Sequence, residues 1–171
     1  MGQAEIANAL RNAREYLGSH PEQARYRDSA ATAVVEEGLR VRVDGADGAS
    51  VVTDMVTGIG GGGTAPSPGW LFRAAHASCV ATLITMRAAE AGVTLTRLEV
   101  TVDSESDDRG ILGLDDGMPA GPLAARVVVR VASAGADEAA VRGIVAWAAA
   151  HCPVDDAVRR PVPVELEVET G

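Results

Sequence analysis

Residues 70–91 read WLFRAAHASCVATLITMRAAEA, a run with almost no helix breaker and with apolar side chains on nearly every side. Its length and lack of internal glycine or proline predict a helix, led in by Pro66 and Pro68 and stopped at Gly92. A helix that is hydrophobic nearly all round is a buried one, so the rest of the chain is expected to wrap it.

Upstream of this run the hydrophobic period is two. Ala31, Ala33 and Val35, then Leu39, Val41 and Val43, then Val51 alternate with polar neighbours. Turn signals at Glu37-Gly38 and at Gly45-Ala46-Asp47-Gly48 separate them, which predicts a three-stranded antiparallel meander. Ile6, Leu10, Ala13 and Leu17 recur at three and four residues, so residues 4–17 read as an amphipathic helix ended by Gly18, with a polar connector to Asp28. Downstream, Leu95–Val102 and Leu123–Val131 are strand-like and flank the polar tip SESDDRGILGLDDGMPAGP. Asp137 can cap a helix through Ala150, Pro153 helps end it, and VPVELEV at 162–168 reads as a closing strand. Strands in blocks around helices, without regular alternation, give an α+β class.

A length of 171 residues fits one core, and 47% hydrophobic with 23% charged residues is ordinary globular usage. The 15 basic residues are all arginine. A chain without lysine has no Schiff base, no phosphate-loop lysine and no pyridoxal anchor. A net charge of -9 and few aromatic rings disfavour nucleic acid as a partner. The start MGQAEIANAL lacks a basic leader before an apolar core, and no long uninterrupted apolar stretch occurs, so the expected location is cytoplasmic, away from a membrane.

The glycine run at 58–63 lacks the Gly-Lys-Ser/Thr of a phosphate loop and reads as a tightly turning lead into the long helix. Asp103, Glu105, Asp107 and Asp108 fail as a calcium loop, because Asp108 stands where the glycine belongs and Leu114 where the last glutamate belongs. His20, His76 and His151 show no metal spacing, so no metal is expected. Cys79 and Cys152 are too few for a disulfide scaffold and are either inert core residues or a redox pair. Phe72, His76, Cys79, Leu83 and Met86 share one helix face. A thiol serves as a nucleophile only when ionised, and Cys79 lies several turns inside the helix, so a side-chain cation must help. Arg40 and Arg42 lie on one strand face, either as that cation or as the wet side of a sheet.

The segment GGGGTAPSPGWLFRAAHASCVATLITMRAAEAGVTLTRLEVTV, followed by AAAHCPV and a valine-rich end, resembles the OsmC/Ohr family of osmotically inducible and organic hydroperoxide resistance proteins. The resemblance spans residues 29–169 and leaves out the first helix, which divides the chain into 1–28, helix and connector, and 29–171, an OsmC-like domain. It implies antiparallel sheets wrapped around a long buried central helix, and an intertwined homodimer. It implies that Cys79 attacks an organic hydroperoxide and becomes a sulfenic acid, that Cys152 resolves it to a disulfide, and that a dithiol or lipoyl reductant restores both thiols, with no cofactor. Arg40 would activate the thiolate, and Arg42, Phe72 and His76 would meet the substrate. The family's usual glutamate after the helix-opening proline corresponds to Gly69, so peroxide reduction is expected to be slow and to improve in Gly69→Glu, unless Asp54 or Glu36 already directs the arginine. The other expectation is a non-enzymatic, OsmC-like small-molecule-binding dimer.

Overall fold

The computed structural model describes residues 2–171. Its order is α1 (Gln3–Ser19), β1 (Thr32–Glu37), β2 (Arg40–Asp44), β3 (Ser50–Thr53), α2 (Pro68–Glu90), β4 (Thr94–Glu105), α3 (Asp108–Ile111), β5 (Ala124–Ala134), α4 (Glu138–Ala150) and α5 (Pro153–Arg159). The fold is α+β with antiparallel sheets, as the sequence predicts. It divides into two compact units, one of Asn8–Ala75 and Ser104–Leu123, the other of the N-terminal residues through Ala7, His76–Asp103 and Ala124–Gly171.

The first unit holds the meander, in the order β1-β2-β3. Val34 pairs with Arg42 and Val35 with Val41, after which a register shift brings Glu37 opposite Arg40. On the other side of β2, Val41 faces Thr53 and Val43 faces Val51. Within the connector between β4 and β5, expected as an irregular polar tip, Asp107 caps the short α3 by accepting from the Arg109 backbone N–H at 3.0 Å.

In the second unit, β4 and β5 pair as a two-stranded sheet. The buried core is Val80, Ile84 and Ala88 of α2 with Ile144 and Ala148 of α4 and Cys152. Both triplets recur every four residues, so each helix offers one ridge to the other. Leu95, Leu98 and Val100, at alternating positions of β4 from Leu98 on, pack against them.

Local chemistry sets the ends of α2. Ser67 Oγ accepts from the Trp70 N–H at 3.2 Å and Pro68 occupies the first turn, where its missing N–H costs nothing. At the other end Gly92 takes φ 66°, and the Val93 and Gly92 amides return to the Ala88 and Ala89 carbonyls. That left-handed reversal favours glycine.

Within the single chain, α2 buries His76, Val80, Ile84, Ala88 and Ala89 along one face. Two sequence expectations are corrected. Pro153 does end α4, but it also starts α5, since a proline that cannot continue a helix is well suited to open one. VPVELEV forms no strand: Val164, Leu166 and Val168 are 87%, 88% and 72% exposed. Alternation prepares a segment for a sheet edge, but without a paired neighbour its amides keep their water.

Candidate functional site

The unit containing α4 and α5 brings the two cysteines together. Both are free thiols, Cys79 half-buried on α2 and Cys152 only 1% exposed. Cys152 immediately precedes Pro153 and stands at the N-cap of α5. Its thiol is pushed up from its ordinary value, chiefly by burial and further by the Cys79 thiol within hydrogen-bonding reach. The Asp155 and Val154 amides oppose that shift without forming a formal cap bond. Of the two sulfurs, Cys79 is therefore the one a reagent can reach, and Cys152 is held beside it as the protonated neighbour.

His76, expected at the substrate, is instead buried on the same helix, with Nε2 3.1 Å from Asp155 Oδ1. The other Asp155 oxygen accepts from Arg159 Nε at 2.5 Å. Asp155 was not among the expected site residues. Its signal in the sequence is the start of α5: Cys-Pro followed by Asp155 and Asp156 has proline and acids in a first turn.

In the other unit, Arg40 is held from two directions. Its Nε donates to Glu36 Oε2 at 3.2 Å and its Nη1 to Thr64 Oγ1 at 2.9 Å. The Thr64 hydroxyl passes its own hydrogen to Asp54 Oδ2 at 2.8 Å. Asp54 is buried and also accepts from the Thr64, Met55 and Gly62 amides, at 3.0, 2.7 and 3.2 Å. These contacts hold its carboxyl down at about 2, the Thr64 amide contributing most and the Thr64 hydroxyl next, with burial opposing. The glycine-rich loop thus wraps a carboxylate of its own chain. A Cβ at Gly61 would lie 1.9 Å from the Met55 carbonyl oxygen, so the close approach requires glycine there.

Arg42 shares Glu36, Nε to Oε1 at 3.0 Å, and pairs with Asp44. Phe72 is half-buried on α2. A Cβ at position 69 would meet Arg73 Nη1 and Ser67 Oγ at 3.8 Å, an ordinary contact distance without a clash. Among the described residues, no group of three or more His, Cys, Asp or Glu could hold a metal, and no helix is long and apolar enough to cross a membrane.

A reachable thiol in the middle of a long helix, a second thiol at a Cys-Pro helix cap beside it, and antiparallel sheets define a class of small two-cysteine α+β proteins. The model of OsmC-like proteins matches residues 60–167, and the chain belongs to that family. Comparison with curated proteins gives no match. Among solved structures, the chain is similar to an organic hydroperoxide resistance protein from Legionella pneumophila at 23% identity and a TM-score of 0.58, covering 79% of this chain and 91% of that one. It is similar to an OsmC-like protein from Mycoplasma pneumoniae at 14% identity and a TM-score of 0.66, covering 79% and 89%. It is also similar to the organic hydroperoxide resistance protein OhrB of Bacillus subtilis at 24% identity and a TM-score of 0.51, covering 84% and 98%. At these identities the likeness establishes the fold.

Proposed function

We propose that the protein reduces organic hydroperoxides in oxidative stress defence, with Cys79 as the attacking thiolate and Cys152 as the resolving thiol. The observation that carries this reading is the contact between a half-buried and a buried free thiol in one compact unit. The Cys79 thiolate displaces alkoxide from the peroxide, which leaves as the alcohol once protonated, and Cys79 becomes a sulfenic acid. Cys152 then closes the disulfide, and a dithiol or lipoyl group reduces it by exchange. The hydroperoxide resistance proteins among its structural neighbours support the substrate class. Arg40 is the cation assigned to the thiolate, and its pairing with Glu36 and Thr64 supplies the direction that a glutamate at position 69 would give. We assign Phe72 and Arg42 to the substrate approach and expect the working form to be a homodimer.

The test is iodoacetamide labelling followed by stoichiometric cumene hydroperoxide and peptide mass mapping. Cys79 alkylates first, Arg40→Ala and Glu36→Gln slow that labelling, and Gly69→Glu leaves it within about threefold of wild type because Arg40 already has two partners. The peroxide converts both thiols to one Cys79–Cys152 disulfide. Equal labelling of both cysteines with no response to peroxide would instead favour a ligand-binding OsmC-like dimer. That second reading draws on Gly69 and on a cavity of about 850 Å³ between β5 and α4, lined by Val129, Val131, Val141, Val145 and arginines.

A further inference from the structure

Two links join α2 to α5. One is the contact between Cys79 and Cys152. The other is the hydrogen bond between His76, one helical turn before Cys79, and Asp155, one turn after Cys152. The second link is buried at both ends, His76 being 2% and Asp155 8% exposed. Arg159 engages the remaining Asp155 oxygen, which fixes the carboxylate. With Nε2–H donating to that carboxylate, His76 Nδ1 is a lone-pair acceptor, and it is buried without a hydrogen-bond partner. An unsatisfied buried nitrogen destabilises, and an apolar side chain would fill the same space without that cost. The polar pair therefore calls for a role that packing alone does not supply.

We propose that His76 and Asp155 are positioning residues for disulfide closure, holding the Cys152 cap of α5 in register with Cys79 on α2. This rests on the disulfide step of the proposed function and not on the identity of the peroxide. In that step Cys79–S–OH and Cys152–S–H become Cys79–S–S–Cys152 and water. The S–O bond breaks, the S–S bond forms, and the departing hydroxide carries away the Cys152 proton. A disulfide tolerates only about 3.5–4.5 Å between its Cβ atoms and a narrow range of dihedral angle. A small slip of one helix along the other therefore takes the thiol out of line, while leaving Cys79 as open to peroxide as before.

The experiment times the two steps separately on the full chain. Dimedone trapping reads sulfenic acid formation at Cys79 after cumene hydroperoxide, and non-reducing peptide mapping reads the appearance of the disulfide. His76→Leu and Asp155→Ala are expected to leave the first step within about threefold and to slow the second by about tenfold or more. His76→Gln, whose amide N–H can still reach Asp155, is expected to recover most of the loss. Should His76→Leu fail to fold, Asp155→Ala and His76→Gln carry the comparison. A folded His76→Leu or Asp155→Ala that closes at the wild-type rate overturns the proposal, and so does a His76→Gln no faster than His76→Leu, which would make the imidazole a proton carrier. Diamide, which joins thiols without peroxide, separates the two claims. Wild type that ignores peroxide but closes with diamide removes the peroxidase reading and leaves the positioning role to be read from diamide closure. No Cys79–Cys152 bond from either oxidant removes both.

Discussion

Asp54 is a carboxylate spent entirely on its own chain, and its surroundings give it a definite pH signature. Four donors favour its ionised form and hold its carboxyl at about 2, below the ordinary aspartate range, the Thr64 amide leading and the Thr64 hydroxyl following. A group whose folded value lies below its unfolded one stabilises fully above the unfolded value, and that stabilisation is lost as pH falls from about 4 through about 2. Urea unfolding of wild type and Asp54→Asn followed against pH is therefore expected to show wild type well ahead at pH 7. The two midpoints should draw together as pH approaches 2. Other acids bound to arginine, such as Asp103 and Asp156, titrate in both proteins and cancel in the difference. Parallel curves, with a gap that stays constant down to pH 2, would mean that the loop amides do not depend on the charge at position 54.

Among the elements, the ridge formed by Val80, Ile84 and Ala88 against Ile144 and Ala148 carries the core around the cysteines. Ile84 is wholly buried at its centre. Ile84→Ala is expected to cost about 2–5 kcal/mol in urea unfolding, from lost burial plus the cavity left behind. A cost below about 1 kcal/mol would show that the helices collapse onto the gap. Helices α1, α2 and α4 and the meander were legible in the sequence because their signals are local: spacing of three and four in α1, period two in β1 to β3, breakers at Gly38 and Gly92. The pairing of the two cysteines was legible through their motif context, since the structure packs Cys79 against the core that holds Cys152. What sequence could not give is the set of partners that lie far apart in the chain. Asp155 is 79 residues from His76, and Thr64 is 24 residues from Arg40. Neither pairing leaves a periodic trace. The 162–168 segment failed for the converse reason, since its strong alternation says which side chains would face alike but not whether a neighbouring strand is there to receive its amides.

For the whole molecule, the apolar surface left open by one chain is the informative quantity. Val34 and Val35 of β1 and Val164, Leu166 and Val168 near the C-terminus are all exposed. Edges and alternating segments of this kind invite pairing with another chain. Sedimentation in dilute buffer is expected to give a dimer, and removal of residues 162–171 to weaken it. A compact, stable monomer of the full chain would count against the homodimer. Oxidation state adds a second effect at this scale. A bond from Cys79 to Cys152 would turn the chain between them, with β4, β5 and α4 inside it, into a covalent ring. Rings of this length restrict the unfolded chain by about 4 kcal/mol in the loop-entropy account. The protein would then carry a memory of its last encounter with an oxidant in its resistance to heat, melting higher after peroxide and returning to its lower midpoint once a dithiol reopens the ring. A thermal scan in cell extract would thus report the oxidised fraction directly, without any chemical label on the thiols.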